Sequence, residues 1–140
     1  MNEFAEAISF YSPLVQRRLN ALRLLILETA IETEGVGKIE EALRWNQPSF
    51  LTPETRSGST IRIDGLGNEP TKYAMYFHCQ SGLVELFRAR YDKVLTFVSN
   101  RAIIFDVSAK VPVVELKHCI SLALTHHLRK KSKKASAPEK

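Results

Sequence analysis

The amino-acid sequence predicts an α+β fold in which an antiparallel sheet of about five strands carries helices on one face. Three observations support this prediction: apolar residues recur at helical spacing near both ends of the chain, they alternate with a period of two between those ends, and turn residues join the alternating segments into hairpins. Strands clustered in hairpins pair antiparallel, and helices then cover one side of the sheet. We expect the other side to face solvent.

The first long helix is predicted to begin at Ser12-Pro13 and to end at the glycines 35 and 37. Serine is a preferred helix cap, and proline is tolerated in the first turn because its missing N–H would have no partner there. The apolar stripe of this helix consists of Val15, Leu19, Leu22, Ile26 and Ala30. A short second helix is expected over residues 38–43, leading into the segment RWNQPSFLT at residues 44–52.

Five strands are predicted from residue 44 onward. The first three are residues 44–52, 59–64 and 73–79, and the loop GLGNEP joins the second to the third. A helix with Leu83, Val84, Phe87 and Tyr91 follows, and a hairpin through Asn100 pairs residues 96–99 with 101–107. Pro112 then opens the last helix, whose apolar stripe is Val113, Leu116, Ile120 and Leu124.

Composition predicts one domain over residues 1–128 and a basic, disordered tail over residues 129–140. The chain has 140 residues and a net charge of +5, and the tail holds six of the 20 basic and one of the 15 acidic residues, so residues 1–128 carry 14 of each. The whole excess of positive charge therefore lies in the tail, which weakens the case for an acidic partner of the domain. We expect nucleic acid to be contacted only non-specifically, through the tail.

The expected location is the cytoplasm, without membrane association. No apolar run approaches the roughly 20 residues of a membrane span, and the N-terminus lacks the basic stretch of a secretory signal. Cys79 and Cys119 lie far apart without a CxxC spacing, so we expect reduced thiols.

The open sheet face is the predicted working surface. Its candidate ligand-binding residues are Trp45, Gln47, Ser49, Tyr76, His78 and Arg101, and Arg62 belongs to the same polar set. The aromatic rings would give apolar contact, the amide and hydroxyl groups would orient a ligand, and Arg101 would pair with an anionic group. The partner is expected to be a small molecule or a protein.

Motifs that would indicate catalysis are few, so the expected function is non-enzymatic binding without a cofactor and without catalytic residues. GLG at residues 65–67 follows a strand, but no helix comes after it and Pro70 is close, which indicates a turn. His-Cys occurs twice, at 78–79 and 118–119, yet adjacent residues point in different directions on a strand or helix. An enzyme that works through Cys79 or His78 stays open as an alternative.

Five segments, taken together, carry a resemblance to a known family: ALRWNQPSFLT, GSTIRID, KYAMYFHCQSGLVELFR, NRAIIFDV and PVVELKHCISLALTHH. The resemblance covers roughly residues 10–128 and is to the YdhG-like family of small bacterial proteins, a domain family of unknown function. The resemblance implies a curved antiparallel sheet packed by the N- and C-terminal helices. It also implies an alternative function, because one branch consists of frataxin-like iron chaperones that hold Fe through acidic helix residues. Here those metal ligands would be Glu28 and Glu32.

Overall fold

The computed structural model describes residues 3–136, with side chains described through residue 131. Its helices are α1 (Glu3–Ala7), α2 (Pro13–Glu32), α3 (Leu83–Tyr91), α4 (Val113–Leu124) and α5 (His126–Ser136). Its strands are β1 (Glu40–Arg44), β2 (Gln47–Leu51), β3 (Ile61–Leu66), β4 (Glu69–Tyr76), β5 (Thr96–Val98) and β6 (Ala102–Asp106). The strands form one sheet in the order β1-β2-β3-β4-β6-β5, and each neighbouring pair is antiparallel. The predicted α+β fold is confirmed.

Helix α2 begins where the sequence predicts. The Ser12 hydroxyl accepts a hydrogen bond from the Val15 N–H at 3.3 Å, and Pro13 occupies the first turn. The predicted apolar stripe is buried, with Leu19 and Ile26 at 0% exposure. The helix ends at Glu32, a few residues before the first glycine, because Thr33 already takes an extended conformation.

The segment around the single tryptophan differs from the prediction. Residues 38–43 were predicted as a short helix, but Glu40–Arg44 form strand β1, which pairs with β2 along its whole length. A six-residue helix is marginal on its own, whereas pairing with β2 supplies backbone partners. The predicted first strand, residues 44–52, is in fact interrupted by a turn at Trp45 and Asn46, whose φ angles are 52° and 61°. Two positive φ angles in a two-residue hairpin loop define a type I′ turn.

Strand β3 shows how the two faces of the sheet divide. Ile61 and Ile63 are fully buried beneath the helices, while Arg62 and Asp64 point to the opposite, open face. The register places Arg62 between Ser49 of β2 and Tyr76 of β4. Helices α1, α2 and α4 bury the first face in one apolar cluster, which also includes Phe50, Met75 and Ile103.

The loop of residues 52–60 joins β2 to β3 and fastens the end of α4. The Ser59 N–H donates to the Ala123 carbonyl at 2.9 Å, and the Ser57 hydroxyl donates to the Leu124 carbonyl at 2.8 Å. In return the Ser57 carbonyl accepts from the His127 N–H at 2.7 Å. These bonds satisfy carbonyls at the C-terminus of α4 and N–H groups at the start of α5. They also bring α5 to the end of the sheet where β3 begins.

The C-terminal segment is helical as far as the structure describes it. Helix α5 runs through the first part of the segment predicted as a disordered tail, and residues 137–140 lie outside the described residues. His126 and His127 therefore start a helix. None of the helices between residues 3 and 136 combines the length and the hydrophobicity that a membrane span requires.

Candidate functional site

A cavity of about 410 Å³ lies at the end of the open face where β3 begins, β4 has ended and α5 starts. We call it the Arg62 cavity. Its lining residues come from the β1–β2 turn, the 52–60 loop, the two central strands and the α5 start: Arg44, Trp45, Gly58, Ser59, Thr60, Arg62, His78, Ser81, His126 and His127. Two guanidinium groups and three imidazoles thus face one space, and no carboxylate is among the lining groups.

Trp45 forms one wall from an unusual backbone position. Its φ of 52° lies in the left-handed region, where a bulky side chain is a rare and strained occupant. Its side chain is nevertheless not packed away, since 82% of the residue is exposed. The indole ring stands 5.2 Å from the Arg62 Cζ, which is a cation–π contact.

Arg62 is the central charged group of the cavity. Its Nε is buried and has no hydrogen-bond partner among the described residues. A buried guanidinium donor is ordinarily paired, because leaving it unpaired costs the full penalty of removing it from water. Trp45 covers the group without accepting a hydrogen bond from it. Arg62 is therefore a charged donor that the fold itself leaves unsatisfied.

The neighbouring carboxylate, Asp64, does not supply the missing partner. The Tyr11 hydroxyl donates to its Oδ1 at 2.6 Å, the Gln47 Nε2 donates to its Oδ2 at 3.1 Å, and the Gly65 N–H donates to Oδ1 at 2.9 Å. Burial and this carboxylate both raise the pKa of Tyr11, which therefore stays a donor. Asp64 thus has both oxygens engaged away from Arg62.

The histidines add ring nitrogens to the wall of the cavity. His78 is exposed, and its Nδ1 accepts from the Gln80 N–H at 3.1 Å, which leaves Nε2 as the ring nitrogen without a backbone partner. His126 is 9% exposed, and its ring centroid stands 5.0 Å from that of His127. Burial, followed by the positive charges of His127, Arg129 and Lys130, lowers the pKa of His126. The two arginines are the permanent positive charges of the cavity.

The six residues predicted from the sequence do not form one site. Trp45 and His78 line the Arg62 cavity. Gln47 is occupied with Asp64, and Ser49 is 1% exposed and donates to the Gln47 carbonyl at 2.9 Å.

The remaining two predicted residues, Tyr76 and Arg101, line a separate depression of about 450 Å³ on the β4–β6–β5 part of the open face. Its walls are mainly apolar, with Leu66, Val98 and Ile104. Burial, and then the charge of Asp64, raise the pKa of Tyr76. Arg101 therefore lies apart from Trp45, and Arg62 is the arginine beside the indole.

Sequence reasoning missed the contribution of the loop and of α5. Ser59 and Thr60 were predicted as the start of the second strand, and the adjacent His126 and His127 follow the apolar stripe of the predicted last helix. Arg44 was placed at a helix-to-strand junction. The pair of histidines and the small-residue loop were the available signals, but only the α4-to-loop hydrogen bonds show that they meet.

The alternative metal residues are engaged with a lysine. The Lys117 Nζ donates to the Glu28 Oε1 at 2.9 Å and to the Glu32 Oε1 at 2.6 Å. Within residues 3–131, no group of three or more His, Cys, Asp or Glu side chains is arranged to hold a metal ion. A cation at Glu28 and Glu32 would have to displace Lys117. Iron binding stays a prediction.

The two cysteines are free thiols in different surroundings. Cys119 is buried, and this burial raises its pKa to about 12, so it is a poor nucleophile at neutral pH. Cys79 is partly buried, and its carbonyl accepts from the Asn100 Nδ2 at 3.1 Å. His118 is bonded through Nδ1 to the Tyr91 hydroxyl at 2.6 Å. No cysteine–histidine bond is present among the described side chains.

Comparison with known proteins gives a structural relative. The chain is similar to the crystal structure, at 1.75 Å resolution, of a DUF1801 family protein (YdhG) from Bacillus subtilis, with a TM-score of 0.57 over 96% of this chain and 93% of that one. The chain has that protein's fold. The sequence identity of 15% supports the fold alone. A scan against protein-family models found no match, and a search of curated proteins found none either.

Proposed function

We propose that this protein is a YdhG-like, non-enzymatic binding protein whose Arg62 cavity holds a small anionic molecule with a flat apolar group. The observation that carries the proposal is the state of Arg62: a partly buried cation with an unsatisfied Nε, beside an exposed indole, in a cavity without a carboxylate. An anion would supply the missing acceptor and charge. A guanidinium binds carboxylate and phosphate oxygens through paired hydrogen bonds, which are among the stronger ones in proteins.

The conformation of Trp45 supports a ligand with a flat apolar part. A tryptophan in the left-handed region costs on the order of 1 kcal/mol or more, and such strain is retained most often at functional sites. Because Arg62 contacts the indole and most of the residue is exposed, the ring has free surface on which a planar group can stack. An asparagine or glycine would suit this turn better.

The size and polar groups of the cavity fit the same class of ligand. Its volume of about 410 Å³ lies in the range of small-molecule sites. The hydroxyls of Ser59 and Thr60 and the Nε2 of His78 provide polar groups around the two arginines, while the Ser81 hydroxyl already donates to the His78 carbonyl. These groups can orient a ligand whose charge is held by Arg62 and Arg44.

Trp45 is the only tryptophan in the chain, so its fluorescence reports directly on this cavity. Phenyl phosphate is the first probe, titrated against the protein and followed by fluorescence and by isothermal titration calorimetry. We expect saturable binding of phenyl phosphate, with inorganic phosphate and neutral phenol each binding at least about tenfold more weakly, because each lacks one of the two recognised groups.

The decisive variant is Arg62→Gln, with Arg90→Gln as its control. Arg90 is exposed in the last turn of α3, so its replacement changes the net charge equally without touching the cavity. We expect Arg62→Gln to weaken phenyl phosphate binding by about tenfold or more, and Arg90→Gln to leave it unchanged. Equal binding by the two variants, or phenol binding as tightly as phenyl phosphate, would contradict the proposal.

A further inference from the structure

A second cavity, of about 420 Å³, lies between α2 and the loop that joins β6 to α4. It belongs to the side of the sheet that the helices cover, and it shares no residue with the Arg62 cavity. Its apolar walls include Leu22 and Leu25 from α2 and Val111 and Val113 from the loop and the start of α4. We call it the Tyr73 cavity, after the buried residue that lines it. Its volume is again that of a small-molecule site.

Two cations lie on the wall of this cavity without acidic partners. Arg18 is held by one hydrogen bond, from its Nε to the Val107 carbonyl at 2.7 Å, which leaves its terminal N–H groups available. Lys110 is exposed and forms no ion pair with any described residue. The nearby carboxylate of Asp106 is bound instead by the N–H and hydroxyl of Ser108. No carboxylate lines the cavity.

Tyr73 adds an unsatisfied donor. The residue is 0% exposed, its ring stacks on Phe105 at 5.1 Å between centroids, and its hydroxyl has no hydrogen-bond partner within the described part of the chain. Burial raises the pKa of this phenol, so it stays protonated at neutral pH. No described residue supplies an acceptor for this hydroxyl, so an acceptor on a bound molecule would satisfy it.

We infer that the Tyr73 cavity binds a small amphipathic carboxylate. Its apolar body lies against Leu22, Leu25 and Val111, and its carboxylate turns toward Arg18 and Tyr73. The Arg18 guanidinium moves toward the ligand, the carboxylate accepts hydrogen bonds from it and from the Tyr73 hydroxyl, and Lys110 adds positive charge at the mouth. This site is independent of the function proposed for the Arg62 cavity.

The probe is octanoate, measured by isothermal titration calorimetry against the full chain. Acetate lacks the apolar body and 1-octanol lacks the charge, so each should bind at least about tenfold more weakly than octanoate. We expect Arg18→Gln and Tyr73→Phe to weaken octanoate binding by about five- to tenfold, and Lys110→Gln by about twofold. Arg62→Gln and Arg90→Gln should leave octanoate binding unchanged, which separates this site from the first.

Tyr73→Phe also carries a folding control. The substitution removes a hydroxyl without a partner, so the melting temperature should stay the same or rise, and lost binding cannot then be explained by unfolding. Arg18→Gln loses the bond to Val107 and could destabilise the chain, in which case Tyr73→Phe and Lys110→Gln carry the test. The inference is overturned if octanoate does not bind, if 1-octanol binds as tightly, or if Tyr73→Phe binds octanoate with unchanged affinity.

Discussion

The side chains on the two faces of strand β3 have different surroundings. On the helix face, Ile61 and Ile63 are fully enclosed by apolar neighbours. On the open face, Asp64 accepts three hydrogen bonds, while the Nε–H of Arg62 beside it donates none. The fold therefore encloses the apolar residues of β3 completely and satisfies one of its two charged residues but not the other.

The largest expected effect falls on the helix face. Ile63→Ala should lower the free energy of unfolding by about 2–5 kcal/mol, because it removes buried methyl groups and leaves a cavity in a packed core. Arg62→Ala on the opposite face should cost only about 0.5–1 kcal/mol, the value of its contact with Trp45. Urea denaturation of both variants measures the contrast. Similar losses for the two would remove the distinction between the faces.

The next largest effect on stability is expected in the 52–60 loop, at Gly58. A Cβ on Gly58 would stand 2.8 Å from backbone atoms of Leu124, which cannot move aside as a side chain can. Gly58→Ala should therefore cost about 1–3 kcal/mol and weaken ligand binding in the Arg62 cavity. Gly67→Ala is the matched control, because a Cβ there meets nothing within 4 Å. Thermal and urea unfolding should show a lower stability for Gly58→Ala than for Gly67→Ala. A Gly58→Ala protein of wild-type stability would contradict the close contact between Gly58 and the Leu124 backbone.

A smaller change in stability, of opposite sign, is expected from a substitution in the β1–β2 turn. Trp45→Asn replaces a strained residue by one that accepts a positive φ, so the free energy of unfolding should stay the same or rise by up to about 1 kcal/mol. Phenyl phosphate binding, measured by calorimetry, should fall about tenfold at the same time. A clear loss of stability would show that the indole serves packing instead of binding.

The smallest effect is a pH dependence at His126. Its folded-state pKa is lowered, so the unfolded chain binds this proton more tightly than the folded one. The stability contribution is therefore complete above the ordinary histidine pKa of about 6.5 and is lost as the pH falls through 6.5 to the lowered value. His126→Gln should flatten the loss of stability between pH 7 and pH 5, measured by urea midpoints, more than His127→Gln does. If the urea midpoints of the wild-type protein and His126→Gln changed in parallel with pH, His126 would not be the source of the pH dependence.

Much of the fold could be predicted because local signals agreed with tertiary structure. The cap at Ser12, the stripe of α2 and the alternation in β3 all act within a few residues, and each is confirmed. Strand β1 could not be predicted in the same way. Its sequence, EEALR, consists of good helix formers. It becomes a strand because it pairs with β2 through a turn in which Trp45 has a positive φ.

The candidate site was less accessible to sequence reasoning. Alternation placed Arg62 and Tyr76 on the open face, and the register brings them side by side. Arg101 was assigned to the same open face as Trp45, but it lies across β4 from the Arg62 cavity, because alternation gives the face of a residue and not its distance across the sheet. His126 and Ser59 meet only through hydrogen bonds between the 52–60 loop and the end of α4, which no local pattern encodes.

The bond from the His127 N–H to the Ser57 carbonyl also has a consequence for the order of folding. The N–H at the start of α5 donates to the carbonyl of Ser57, a residue 70 positions earlier in the chain. This contact therefore requires the closure of a long loop. We expect the wall of the Arg62 cavity to assemble after the local pairing of the hairpins. Hydrogen exchange at the His127 amide consequently reports how often the finished protein opens that wall.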